Sequence, residues 1–197
     1  SSDLSAGGPD GLRPQHLRDL IANQETSSAL LTAITGLVNI LLSGKCPSQV
    51  ATILFGGKLV AVQKKYGGVR PMAVGYTLRR LTAKCANRIA LALLGDSLLP
   101  IQLGVGVPGG FEAAVHAARR LLAEMPDDWT LVKSDFSNAF NCLRRDTMLG
   151  AVADRIQQLH KFCHLAYSQS SVLWFGEHIL TSEEGAQQGD PLGPLLF

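Results

Sequence analysis

Asp135 is the side chain whose setting most calls for a chemical explanation. It lies in residues 131–140, LVKSDFSNAF, where Thr130, Leu131, Val132 and Phe136 suit a pleated, buried strand and Ser137, Asn138 and Asn141 suit a turn or helix start. A carboxylate carried to the end of such a strand must be paired, protonated or bound to a metal. Two readings follow, a metal ligand or a cap for the next helix. A second group is cationic. Lys64 and Arg70 flank the turn Tyr66-Gly67-Gly68, so both project from one β-hairpin. A compact ammonium beside a planar guanidinium suits phosphate oxygens, although the same pair also suits a solvated hairpin tip. The third group is residues 184–197, EGAQQGDPLGPLLF. Its glycines and prolines make a rigid, hinged loop that can bring backbone close to a ligand, and from Leu192 an apolar run begins that a helix would bury.

Residues 131–140 and 184–197 resemble motifs A and B of reverse transcriptases, specifically those of non-LTR retrotransposons. Asp135 followed five residues later by Phe140 matches the Asp and aromatic gate of motif A. Gln188, Gly189, Leu192, Gly193 and Pro194 match the Gln-Gly pair and the Leu-Gly-Pro of motif B. The run VQKKYGGVRPM resembles the fingers hairpin of that family. GPDG near the start and IQLGVGVPGG at residues 101–110 resemble the segments that precede the fingers and join them to the palm.

The resemblance implies an RNA-directed DNA polymerase, a nucleotidyltransferase of α/β (α+β) class. Residues 1–110 would be the N-terminal helices and fingers, and 111–197 a partial palm of the right-hand polymerase. Lys64 and Arg70 would then hold the triphosphate of a dNTP, with Lys65 the alternative to Lys64 because the register is open by one. Phe140 would stack under the sugar and exclude a 2′ hydroxyl, while Gln188 and Gly189 would line the nucleotide and template pocket. Asp135, helped by the Phe136 carbonyl, would bind Mg²⁺, of which the intact family enzyme uses two to stabilise the attacking and leaving oxygens. Arg80, Lys84 and Arg88 would lie along an RNA template, and a DNA primer would supply the 3′ hydroxyl. The family also requires motif C, a hairpin bearing two adjacent Asp residues. Asp127-Asp128 precedes the palm strand and cannot serve. The expectation is a fragment of a longer protein, truncated before motif C and inactive alone as a polymerase. The rival is a non-catalytic nucleic-acid-binding remnant of a decayed retroelement. An unrelated Mg²⁺-dependent phosphotransfer enzyme would need a second acidic cluster, which the sequence lacks.

The charge distribution bears on that choice. From Thr26 to Gly95 there is no Asp or Glu, while nine Lys and Arg give +9; the remaining nine cations against sixteen acids give −7. Such a split suggests that the earlier half faces a polyanion.

The elements that must position these groups follow from periodicity and punctuation. Residues 5–20 open with a glycine-rich turn, and Pro14 starts a helix through Ile21. Thr26 or Ser27 caps an apolar helix ending near Gly44, and a hairpin follows with strands at 52–63 and 69–74. Thr77 caps the next helix, on which Arg80, Lys84 and Arg88 share one face. Residues 101–110 form a structural glycine-rich loop, and 111–125 an amphipathic helix whose Ala113, Ala114, Ala117 and Ala118 allow close packing against a sheet. A helix over 145–161 turns Leu149, Val152, Ile156 and Leu159 inward, and residues 171–181 make a second hairpin. Phe162, Tyr167 and Trp174 read as packing residues.

At 197 residues the chain can bury a sizeable core, and no apolar run approaches the roughly 18 to 20 residues that span a bilayer. With no leader-like segment, an intracellular location, nuclear or cytoplasmic, is expected. The four cysteines, Cys46, Cys85, Cys142 and Cys163, form no CxxC and read as reduced interior thiols. His160, Cys163 and His164 lack the second ligand pair that a zinc site would need.

Overall fold

In the computed structural model, which describes residues 6–65 and 67–197, eight α-helices and one four-stranded mixed sheet form among the described residues. Ser5 and Tyr66, to which the expected opening turn and hairpin turn extend, lie outside those residues, as does the side chain of Thr26.

Helix α1 (Pro14–Ala22) starts on its proline, whose missing N–H costs nothing at a first helical position. Helix α2 (Gln24–Leu42) is capped by Asn23, whose side chain accepts from the Glu25 N–H at 3.0 Å, one turn before the expected Thr26 or Ser27. Pro47 then precedes a short helix, α3 (Ser48–Leu54), so the expected first strand is shorter, with Thr52 helical. Strands β1 (Gly57–Gln63) and β2 (Val69–Gly75) pair antiparallel in a register that sets Val62 opposite Arg70. Helix α4 (Thr77–Leu94) begins at Thr77, but the Thr77 hydroxyl donates to the Leu12 carbonyl instead of capping the helix.

Helix α5 (Gly110–Glu124) follows the glycine-rich loop, which lies close against its surroundings: a Cβ on Gly110 would stand 1.9 Å from the Leu103 carbonyl oxygen. The expected helix over 145–161 is two helices, α6 (Arg145–Arg155) and α7 (Gln157–Tyr167). The break falls at Ile156, which leaves helical geometry with its side chain buried, so both helices keep their apolar faces on one core. Strands β3 (Ser171–Phe175) and β4 (His178–Ser182) form the second hairpin, and α8 (Gly193–Leu196) is a single turn.

The sheet order is β2-β1-β3-β4, with β1 and β3 parallel through Gly57 opposite Leu173 and Lys58 opposite Trp174. The two sequence halves divided at residue 110 therefore share one sheet. They also share one core, in which Leu41, Phe55, Ala86, Val152, Phe162 and Leu192 are all buried. Phe55 and Phe162 meet edge to face at 5.8 Å. Trp174 packs edge to face on Tyr76 at 6.3 Å.

Two expected buried elements are exposed instead. Residues 130–136 form no strand and make no backbone hydrogen bond among the described residues, and Val132 and Phe136 stand 80% and 72% exposed. An apolar strand is buried only where a neighbour completes its ladder and covers its faces, and among the described residues neither does so here. Helix α5 likewise leaves Ala113 and Ala117 exposed and Ala114 and Ala118 half-buried, so the alanine face covers no sheet. The cysteines are free, but only Cys163 is buried and Cys142 is exposed. No helix among the described residues is long and apolar enough to cross a membrane.

These placements give opposite expectations for two apolar truncations. Phe162→Ala should lower unfolding free energy in a chemical-denaturation series by roughly 3–5 kcal/mol, whereas Leu122→Ala on exposed α5 should change it by no more than about 0.5 kcal/mol.

Candidate functional site

The β1–β2 hairpin is closed by Lys64 N–H donating to the Gly68 carbonyl at 3.0 Å, with Gly67 and Gly68 at φ of 91° and 84°. That left-handed pair is accessible to glycine and lets the turn be tight, setting Lys64 and Arg70 at the two strand ends. Both side chains are exposed. They line a cleft of about 690 Å³ together with Pro71, Met72, residues 135–140 and 187–190, Gly193 and Pro194. Asp135, Phe136, Phe140, Gln188 and Gly189 therefore share one cleft with Lys64 and Arg70. Lys65 does not line it and instead borders a small concavity at the hairpin tip, together with Lys64 and Arg70.

The loop that forms the floor is fixed by backbone contacts on both sides. Gly185 N–H donates to Leu143 at 2.9 Å and Ala186 N–H to Phe140 at 2.8 Å, while Ala73 N–H on β2 donates to Gln188 at 2.8 Å. Gly189 sits at φ of 113°, and a Cβ there would stand 2.5 Å from the Ala73 carbonyl oxygen. Glycine is thus required where the loop crosses β2. Arg145 holds the loop's entrance, donating to the carbonyls of Gly185 and Gln169 and to the Ser182 hydroxyl at 2.9–3.1 Å, with its guanidinium over the Tyr167 ring. Burial lowers the pKa of this guanidinium, and these three acceptors together with the Glu184 carbonyl at 3.4 Å compensate its lost hydration.

Beneath the cleft lies a buried polar network. Arg79 of α4 donates to Asp190 at 2.6 Å and to the Gln187 Oε1 at 2.7 Å, and both ion-pair side chains are only 2% exposed. Tyr167 donates its hydroxyl to the same Asp190 oxygen, and the Leu192 N–H donates to the other at 2.9 Å. Gln187 passes its amide hydrogens to the Phe55 carbonyl and the Ser171 hydroxyl. Burial and the neighbouring Asp190 carboxylate raise the Tyr167 hydroxyl well above the usual tyrosine pKa, so it remains a donor. Every buried side-chain nitrogen and oxygen among the described residues has a partner.

The positions expected to matter divide accordingly. Asp135 is exposed on the cleft wall, not buried at a strand end, so no buried charge calls for a partner there, and it lines the same cleft as Lys64 and Arg70. Phe140 is half-buried, its ring 5.2 Å from that of Phe197. On α4, Arg80 donates to the Ala6 carbonyl at 2.8 Å and is partly buried, while Lys84 and Arg88 are exposed; none of the three lines the cleft. Arg79, Arg145, Gln187 and Asp190 were not anticipated. Asp190 carried a readable signal, a carboxylate directly before Pro-Leu-Gly-Pro-Leu-Leu, where an unpartnered charge would be costly. His160 and His164 are neighbours on α7, their tilted rings 5.7 Å apart, while Cys163 faces the core.

No family model and no curated protein matches the chain.

Asp190→Asn should destabilise the fold by roughly 3–5 kcal/mol, because it leaves the Arg79 charge buried without a counter-charge. Replacing both partners, Arg79→Met with Asp190→Leu, should cost less than the single change when both are measured by denaturation. Burial pushes the Cys163 thiol up to about 12, so iodoacetamide near pH 8 should label exposed Cys142 and spare Cys163 until denaturant is added, as peptide mass mapping would show.

Proposed function

We propose that the cleft binds the triphosphate of an incoming nucleotide and that the chain is the fingers and first part of the palm of an RNA-directed DNA polymerase of the non-LTR type. The observation carrying this reading is convergence. Three stretches far apart in sequence each resemble a nucleotide-contacting motif, and Lys64, Arg70, Asp135, Phe140, Gln188 and Gly189 from those stretches line one cleft. Its volume of about 690 Å³ is in the range of small-molecule sites. The chemistry suits the ligand: exposed cations for phosphates, an aromatic ring for a sugar, and amide and backbone groups for a base edge.

The metal is a separate matter. Among the described residues no three His, Cys, Asp or Glu side chains gather as a cation site, and the other carboxylate on the cleft wall, Asp190, is committed to Arg79 and Tyr167. One free carboxylate with the Phe136 carbonyl does not fit a two-ion Mg²⁺ centre, so no catalytic step is assigned through one. Triphosphate binding rests on Lys64 and Arg70. A second reading, a nucleic-acid-binding surface without catalysis, is favoured by the exposure of Lys84 and Arg88 on α4, which does not depend on Asp135.

Fluorescent dNTP titrations separate these readings. Wild type should bind, Lys64→Ala and Arg70→Ala should each weaken binding about tenfold or more, and Lys65→Ala should change it far less. Phe140→Ala should erode discrimination between dNTP and NTP. Primer extension with the wild-type chain should show no template-dependent incorporation. Unchanged nucleotide affinity in Arg70→Ala would sink the cleft assignment. A drop in RNA affinity and in its salt dependence on Lys84→Ala/Arg88→Ala, with nucleotide binding absent throughout, would select the second reading.

A further inference from the structure

Two of the chain's five histidines stand one helical turn apart on α7, away from the residues that line the cleft. His160 is half-buried and His164 exposed, and their ring centres lie 5.7 Å apart at a tilt of 48°. The helix itself sets this spacing, because side chains four positions apart share one face. Among the described residues neither imidazole takes part in a hydrogen bond or an ion pair, so the ring nitrogens are committed to no other group. Cys163, which the sequence places beside them, faces the core and cannot join them.

We propose that His160 and His164 chelate one divalent transition-metal ion, with water completing its coordination. Imidazole nitrogen suits zinc, copper and nickel, whereas magnesium and calcium take oxygen, so this site is separate in chemistry as well as in place from any that Asp135 could form. Two imidazoles bonded at about 2.0–2.1 Å with a near-tetrahedral angle at the metal have their centres about 5 Å apart. Closing to that separation from 5.7 Å needs only side-chain rotation and leaves the helix in place. Once one imidazole holds the ion, the second reaches it as an intramolecular event, so the pair binds more tightly than either ring alone. His164 also lies in the last turn of α7, where the helix carbonyls present partial negative charge to a bound cation. With two protein ligands the site is open to solvent, unlike a four-ligand structural zinc centre. The bound ion would staple the final turns of α7, the helix that carries Phe162 to Phe55 and Tyr167 to Asp190. This inference rests on the histidine pair and not on the nucleotide-binding reading.

Calorimetric titration of the chain with Ni²⁺, in a buffer that does not bind metal, tests it. Wild type should bind one ion saturably at this pair, and His160→Ala or His164→Ala should each weaken that binding about tenfold or more. The double change His164→Ala/Lys161→His keeps the number of histidines but sets two at adjacent positions that do not face each other, and it should bind as weakly as the single changes. Cys142→Ser should bind as wild type does, which separates the pair from the exposed thiol. The urea midpoint should rise with Ni²⁺ in wild type and Cys142→Ser but not in the histidine variants, since a ligand of the folded chain stabilises it by mass action. None of the altered positions is buried, so the metal-free midpoints should agree. A wild-type chain with no saturable binding overturns the proposal. So does a displaced-histidine variant that binds as tightly as wild type, or binding that is lost in Cys142→Ser.

Discussion

The ion pair between Arg79 and Asp190 is the constraint on which the rest of this structure depends. Both groups are out of water, and removing two charges from solvent costs several kcal/mol each, which mutual attraction offsets only when the remaining donors and acceptors are also satisfied. Here they are. Asp190 accepts from Arg79, Tyr167 and the Leu192 N–H, and Arg79 also reaches Gln187 and lies over the Phe55 ring at 5.7 Å. Such a pair adds little to stability relative to an apolar replacement. What it does is select one arrangement, because a displaced Asp190 loop would strand a buried guanidinium. Five elements meet at this point: α3 through Phe55, α4 through Arg79, α7 through Tyr167, β3 through Ser171, and the loop that carries Gln187 and Asp190.

That network explains why a glycine-rich loop can serve as the floor of a cleft. Glycines at 185 and 189 permit positive φ and close backbone approach, but they also weaken the loop's own preference for any conformation. Order is imposed from below by Asp190 and Gln187, and from the sides by Arg145 and by the Ala73 to Gln188 hydrogen bond. Gln188 and Gly189 are thereby presented upward while their neighbours on either side face down. The two central residues of one short loop thus line the cleft while those flanking them hold the fold.

The sequence made the helices and hairpins legible because their signals are local. Pro14, Gly44 and the Gly67-Gly68 turn start or end elements whatever the tertiary context, and the inward positions Val152 and Leu159 follow from helical spacing, whereas Ile156 is buried at the break between α6 and α7. The failures were non-local. Residues 130–136 have the composition of a buried strand, but composition cannot supply a partner, and neither they nor α5 find a covering layer. A carboxylate in an apolar setting demands a partner, but Asp135 is not in such a setting. Asp135 is exposed, and it is Asp190, between Gly189 and Pro191, that meets the condition. Which of two acidic residues is buried depends on packing between chain segments more than a hundred positions apart, as Arg79 and Asp190 are.

The charge asymmetry narrows in the same way. Of the nine cations in residues 26–95, Arg79 is neutralised by an acid from the other half, and Arg80 is partly buried against the Ala6 carbonyl. The excess is therefore not a single uniform patch. Lys64 and Arg70 lead into the cleft, while Lys84 and Arg88 stand on the exposed face of α4, outside it. A cation near a concave wall with an aromatic ring and amide groups can recognise one small anion, whereas cations spaced along a helix repel one another most weakly when an extended polyanion runs past them. The two sets thus present charge in different shapes, one beside a concave wall that Met72, Phe140, Gln188 and Gly189 help to line and one along a helix.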